Sequence, residues 1–427
     1  MATFWFVPAL IIILSIFVSI GLLTLDQLTT FSQDGLGKYF FVTSANSARS
    51  ILSTISGAMI GVAGTVFSVT LVALTLASSQ FGSRLIKNFM YVRLNQVVLG
   101  SYVATYLYCL FVLTAIREND AYTFMPVLSI LFAIIAALLN IILLIVFIHT
   151  IATSIQADNI ISDISDLISE QTGSLYPTKI GSPSTNQNKT TDTTLQSKYF
   201  LTISILSSNS GYLQYVDGEQ LLEKMQLYDA LIVLNVRPGN HLVKGISIAS
   251  LYSNTKLDEE QIKGINEQFV IGKTKVNNQD LAYSIDQMVE IASRALSSGV
   301  NDPYTAITCI DYLTSTLCLL SEIEFASNYR MDAENQVRII TTSTDFDGFM
   351  DVSFNQIRQF SAGSSAVILR LMDSLITLFN CTPNESYKKT ILKHAKMVLN
   401  VGKQSLKEEL DYKDLEERSR KILLSSH

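Results

Sequence analysis

Four long apolar runs occupy the first third of the chain, and they decide what the remainder has to be. Phe4 to Leu25 carries no charge, and similar runs extend from about Ser53 to Ser78, Val97 to Ile116 and Met125 to Ile151. About 20 apolar residues suffice for a helix to cross the hydrocarbon of a bilayer. A backbone in hydrocarbon finds no water to bond, so each run must be helical throughout. The expectation is a polytopic α-helical domain of four transmembrane helices over residues 1–155, with the lipid bilayer as its first partner. The fourth run is long enough to tilt or to continue as a stalk. The first lacks a basic n-region and a clear cleavage site, so it reads as a retained helix.

Charge divides the chain at the same place. Up to Ala157 there are six basic and four acidic residues, which leaves 25 basic and 33 acidic for the rest of a chain whose net charge is −6. An acidic body without a basic tract argues against nucleic acid as a partner. Arg84, Lys87 and Arg93 stand without an acid between the second and third runs. Basic loops stay on the cytoplasmic side, so both termini and the body are expected inside. Trp5, Tyr39, Phe40, Tyr102 and Tyr122 fall near the predicted interfaces, as an aromatic belt would.

The second run is unusual in composition. Gly57, Gly61 and Gly64 recur at steps of four and three and are followed by hydroxyls that include Ser68 and Thr75. Such a stripe allows close helix approach, which is the favoured reading, and the alternative is a helix that lines a pore or cavity. Asn140 and His149 in the fourth run either face a cavity or bond between helices, the second role being favoured.

Beyond the membrane runs the pattern changes twice. Residues 156–198 read as a helical stalk and a polar linker. Residues 199–275 shorten to strands, among them Leu201–Ile205, Tyr212–Val216 and Leu231–Val236, with an Arg237-Pro238-Gly239-Asn240 turn. Their order suggests a small β-barrel or sandwich. Residues 276–427 read as a helical bundle, with a strand near 336–342, which makes the whole body α+β. At its centre two helices with apolar positions three and four apart flank Ser297-Ser298-Gly299-Val300-Asn301-Asp302-Pro303. Gly299 suits a left-handed helix end, Asn301 or Asp302 a cap, and Pro303 a first helical position. Asp280, Gln287 and Arg294 lie seven apart on one line and, with Asn301 and Asp302, form a polar row that is either a site or a solvated, capped hairpin. Cys109, Cys309, Cys318 and Cys381 are scattered and suggest neither a metal site nor a disulfide framework, as expected of core residues in a reducing compartment.

Several segments together resemble a known family. They are Val66-Phe67-Ser68-Val69-Thr70-Leu71-Val72-Ala73-Leu74, Ser78-Ser79-Gln80-Phe81 with Arg84, Phe147-Ile148-His149, Ser210-Gly211-Tyr212 and Arg237-Pro238-Gly239. Ala295-Leu296-Ser297, Asn301-Asp302-Pro303-Tyr304-Thr305-Ala306 and Phe354-Asn355-Gln356-Ile357-Arg358-Gln359 follow in order. In these the chain resembles the predicted bacterial membrane proteins called domain of unknown function 2254 (DUF2254). It departs from the family pattern at Ser298, where Pro is usual, and at Lys273-Thr274-Lys275, where an Arg-Thr pair is usual. The resemblance implies a location and an architecture and no activity. No cofactor motif, phosphate loop or paired catalytic histidine is present, so the expected function is an oligomeric channel or permeation pathway with a regulatory body. A membrane-anchored scaffold is the alternative, and a membrane-surface enzyme a third reading. No ligand, small molecule or ion, can be named from these residues.

Overall fold

A computed structural model describes residues 5–28, 44–82, 93–119, 122–154, 156–175, 182–183, 195–323, 325 and 328–423. The chain divides into two compact units, Met1–Asn159 and Ile160–His427. Arg84 and Lys87, Tyr39 and Phe40, and most of the expected linker lie outside the described residues.

The first unit contains four helices long and apolar enough to span a membrane: α1 (Phe6–Leu28), α2 (Ala45–Phe81), α3 (Arg93–Ala115) and α4 (Val127–Ser154). A short hairpin, β1 (Arg117–Asn119) and β2 (Tyr122–Phe124), joins α3 to α4. Helix α3 packs against the other three. Leu52, Tyr108, Val112 and Ile130 form one core cluster, and Met59, Val66, Val98, Tyr102 and Phe147 form another. Helix α4 is long for a bilayer, as expected, and α2 is longer still. Its 37 residues extend about 55 Å, well beyond a hydrocarbon core of ~30 Å.

Polar groups in this unit answer one another. Asp26, at the end of α1, accepts from the Leu128 N–H at 2.9 Å, the Ser129 N–H at 3.0 Å and the Ser129 hydroxyl at 2.6 Å. The carboxylate thus covers two of the unpaired amides at the start of α4, where the helix dipole also favours negative charge. Tyr102, expected in an interfacial belt, is instead buried, and its hydroxyl donates to the Asn140 carbonyl at 2.6 Å. The reason is a local partner: deep in the unit a phenol needs an acceptor, and α4 provides one.

Helix α5 (Ala157–Leu175) lies mostly in the second unit, which is α+β. Strands β3 (Ser182–Pro183), β4 (Leu201–Leu206), β6 (Leu231–Leu234), β8 (Ser247–Ser253), β10 (Tyr329–Met331) and β11 (Val337–Ile340) form one six-stranded sheet in the order β3-β10-β11-β6-β8-β4. Strands β5 (Gly211–Val216), β7 (His241–Leu242) and β9 (Phe269–Gly272) form a second sheet of three, in the order β7-β5-β9. No closed barrel forms among the described residues, which corrects the barrel expectation. The sheet instead recruits β11 from beyond the first helical hairpin, and β11 pairs parallel with β6. Ile205, Leu213, Ile232, Leu251 and Ile339 share the core of this part with α6 (Gly218–Leu227) and α7 (Glu259–Asn266) through Leu221, Met225 and Ile265.

The helical part comprises α8 (Leu281–Ala295), α9 (Pro303–Glu322), α10 (Phe346–Phe360), α11 (Ser365–Cys381), α12 (Glu385–Ser405) and α13 (Glu409–Leu423). Helix α8 packs on α9 and α10, and α11 on α9, α12 and α13. Cys109 and Cys309 are buried and outside the disulfide, as expected of core cysteines. Cys318 and Cys381 correct the expectation of no disulfide, because a bridge joins α9 to α11. Their 63-residue separation hides in sequence what helix packing brings together.

The tight approach in the membrane unit is made at Gly100. A Cβ there would lie 2.9 Å from the Pro8 Cα and 3.1 Å from the Ile11 Cδ1, whereas Gly57, Gly61 and Gly64 have nothing within 4 Å. Gly100→Leu should therefore cost the single-chain fold, giving aggregated protein on size exclusion in detergent, while Gly61→Leu should leave that fold intact. Well-folded Gly100→Leu protein would contradict the α1–α3 contact.

Candidate functional site

The expected polar row is distributed along a helix instead of converging. Asp280 and Arg294 are fourteen residues apart on α8, about 21 Å along its axis, too far to share one ligand-sized site. Asp280 caps α8, accepting from the Tyr283 N–H at 3.2 Å. Gln287 is buried in the α8 packing face. Arg294 is half-exposed and lies 3.7 Å from Glu290 one turn back.

The hairpin turn is held by local bonds. The Asp302 N–H donates to the Ala295 carbonyl at 2.8 Å, and the Asn301 N–H to the Ser297 carbonyl at 2.9 Å. Asp302 Oδ1 accepts from the Tyr304 and Thr305 N–H groups at 3.1 Å each, and Oδ2 from the Thr305 hydroxyl at 2.6 Å. Asn301, at φ 52°, takes the left-handed position assigned above to Gly299. An Asn tolerates that region because its short polar side chain costs little there. Asp302→Ala should lower the stability of the α8–α9 hairpin by about 0.5–2 kcal/mol, with Asp302→Ser recovering most of it. Thermal unfolding of the full chain in detergent measures both, and equal loss in the two variants would contradict a capping role.

Asp280 does gather an environment that the linear row could not suggest. Gly239, at φ +92°, lies against it so closely that a Cβ would be 1.9 Å from the Asp280 Oδ2. The same Arg-Pro-Gly turn sends the Arg237 Nη1 to the Thr344 hydroxyl at 2.5 Å. Burial pushes the Asp280 carboxyl above the ordinary carboxylate range, against the Tyr283 N–H and the charges of Lys275 and Arg237. Residues from three distant segments, 237–239, 280 and 344, therefore latch the sheet region to α8 and the start of α10.

Two further polar clusters form from residues that the sequence pattern did not single out. Arg338, only 4% exposed, bonds Asp229 at 2.6 Å and Asp332 at 2.7 Å. Asp332 also accepts the Glu334 and Gln336 N–H groups at 2.9 Å each. Although burial works against ionisation, these donors hold the Asp332 carboxyl below its ordinary value. Between α10 and α12, His394 is fully buried with its Nε2 3.2 Å from Asp351 and its ring in a T-shaped contact with Phe354, while Thr390 donates to Asp347 at 2.5 Å. Residues four apart on each helix (Asp347 and Asp351, Thr390 and His394) are the signal that could have found this seam.

Burial pushes the His394 imidazole below its ordinary value, Asp351 opposing and Lys393 and Arg358 adding to the shift. A depressed folded-state pKa means that the unfolded chain takes the proton more readily, so the contribution is present above about pH 6.5 and lost as pH falls through the folded value. Melting temperature should accordingly fall on acidification below pH 6.5, and His394→Gln should flatten that slope. An unchanged slope in the variant would contradict a neutral buried His394.

In the membrane unit the two favoured fourth-helix residues separate. Asn140 is buried, accepts from the Ser101 hydroxyl at 2.7 Å and donates to Thr105 at 2.8 Å, which makes it an interhelical bonding residue. His149 is exposed on α4. Gly57, Gly61, Gly64, Ser68 and Thr75 all lie on the exposed face of α2, opposite Leu52, Met59, Ala63 and Val66. Thr65, Thr70 and Thr75 donate to carbonyls one turn back, at 3.2, 2.8 and 2.8 Å. A cavity of about 240 Å³ opens between α1, α3 and α4, walled largely by apolar atoms of Leu14, Val18, Ala104, Tyr108, Phe132 and Ala136. No group of three or more potential metal ligands occurs among the described residues.

Four membrane-type helices followed by a larger α+β unit define a polytopic membrane protein. The chain belongs to the DUF2254 family, described as predicted membrane proteins, whose model matches residues 1–377. It is 27% identical over 386 residues to an uncharacterised protein of Mycobacterium tuberculosis and to one of Mycobacterium bovis, over 88% of this chain and 72% of each relative. No solved structure matches it.

Proposed function

We propose that this protein works as a homo-oligomer in a bacterial inner membrane, forming a permeation pathway lined by α2, with both termini and the α+β unit on the cytoplasmic side. The observation that carries the proposal is the exposed face of α2. Glycines there have open space, and hydroxyls stand beside them, in a helix whose other face is packed. A helix meant only for lipid gains nothing from three glycines, which lower its stability by roughly 0.5–1 kcal/mol each relative to Ala. A second copy of the same helix gains close approach. Within one chain the polar groups of Asn140, Ser101 and Thr105 are spent on one another, and the cavity beside them is apolar. A polar path then requires more than one chain.

The cytoplasmic placement rests on Arg84, Lys87 and Arg93 outweighing the other loops. Scaffolding is the second reading, favoured by the size of the α+β unit and by the local commitment of its polar turns. Purified protein in planar bilayers should pass ions or small solutes, and Ser68→Leu should reduce that flux several-fold without changing expression. Absence of any flux across a panel of ions and small solutes would leave the scaffold as the better account.

A further inference from the structure

We infer that Cys318 and Cys381 are a reversible thiol–disulfide pair, a modification site through which a low-molecular-weight disulfide tethers α9 to the α11–α12 corner. The two Cα atoms are 6.2 Å apart, inside the span a disulfide bridges without backbone movement. Both residues are half-buried, so a small thiol or disulfide has access, whereas Cys109 and Cys309 are sealed in the core. The Cys381 sulfur also lies 3.5 Å from the Leu378 carbonyl oxygen, which gives the S–H of the reduced form an acceptor already in place.

The surroundings allow both states. Asp311 and Arg370 form a two-pronged ion pair between the same helices, with Nε and Nη2 each 2.5 Å from a carboxylate oxygen. Asp311 precedes Cys318 by two turns, and Arg370 precedes Cys381 by three, so α9 and α11 run parallel and are held at two levels. Leu313, Leu317, Leu371, Leu375 and Leu378 are fully buried, and an apolar contact of this kind needs no covalent link between the sulfurs. Reduction therefore frees the C-terminal ends of α9 and α11 without dissolving the pair. What it loosens is the Thr382-Pro383-Asn384 turn into α12, the helix that carries His394.

The exchange balances without a metal or cofactor. One of the two cysteine thiolates attacks a sulfur of a disulfide such as glutathione disulfide, whose S–S bond breaks, and the departing glutathione thiolate takes up a proton. The other cysteine thiolate then attacks the protein sulfur of the mixed disulfide and expels the second glutathione. Two protein thiols are oxidised and one glutathione disulfide is reduced to two thiols. The inference rests on the proposed cytoplasmic placement for its setting, since a reducing compartment is where such a pair alternates between states.

The test uses the full-length protein in detergent, where orientation plays no part, equilibrated with reduced and oxidised glutathione in varied ratio. Alkylation with iodoacetamide and mass spectrometry should find Cys318 and Cys381 free in an excess of the thiol and joined in an excess of the disulfide. Because the bridge closes a loop of 63 residues, the melting temperature of the oxidised form should be higher by about 10 °C. Cys318→Ser and Cys381→Ser should each abolish that difference, and Cys309→Ala should keep it. A bridge that survives excess reduced glutathione in the folded protein would overturn reversibility, and thiols that remain alkylatable in excess glutathione disulfide would overturn the pair. Labelling of introduced cysteines in intact cells tests the cytoplasmic placement separately, so failure of the one is distinguishable from failure of the other.

Discussion

Hydrocarbon offers no partner to a polar group, and this governs the membrane unit from its backbone to its few polar side chains. Asp26 survives at the end of α1 because the first amides of α4 need acceptors and the carboxylate needs donors. Asn140 survives because Ser101 and Thr105 complete it from α3. The threonines of α2 turn back onto their own helix. The Gly57, Gly61 and Gly64 face of α2 stays exposed in one chain, as do apolar faces of α1 and α4, and it is the small-residue surface through which a second copy is proposed to meet the first.

The α+β unit meets the same need by other means. Its turns are closed by short side chains acting on adjacent backbone, as Asp302 does for α9 and Asp280 for α8. Among its buried groups, Asp332 is enclosed by several donors, Arg338 among them, and burial holds the His394 imidazole below its ordinary value between α10 and α12. Such groups hold the framework together at a few places.

Periodicity and caps made much of this legible. Four apolar runs correspond to four helices, and Asn301-Asp302-Pro303 reads correctly as a helix start because caps are local chemistry. Contacts between distant segments were another matter. The seven-residue spacing of Asp280, Gln287 and Arg294 describes one helix face but not what covers it, and only the fold brings Gly239 against Asp280. The glycine stripe in α2 suggested tight packing, yet the close contact falls at Gly100, a single glycine with no pattern around it. The parallel pairing of β11 with β6 joins residues about a hundred apart, and the Cys318–Cys381 bridge likewise follows from how α9 and α11 lie together rather than from any spacing of cysteines.

The claim on which the functional account turns is that one chain is incomplete without another copy against α2. Native mass spectrometry of the protein released from lipid nanodiscs tests it directly. The account predicts a particle whose protein mass is an integer multiple, two or more, of 47.3 kDa, reduced to the single-chain mass by Gly61→Leu. A wild-type particle of 47.3 kDa at all concentrations would contradict it.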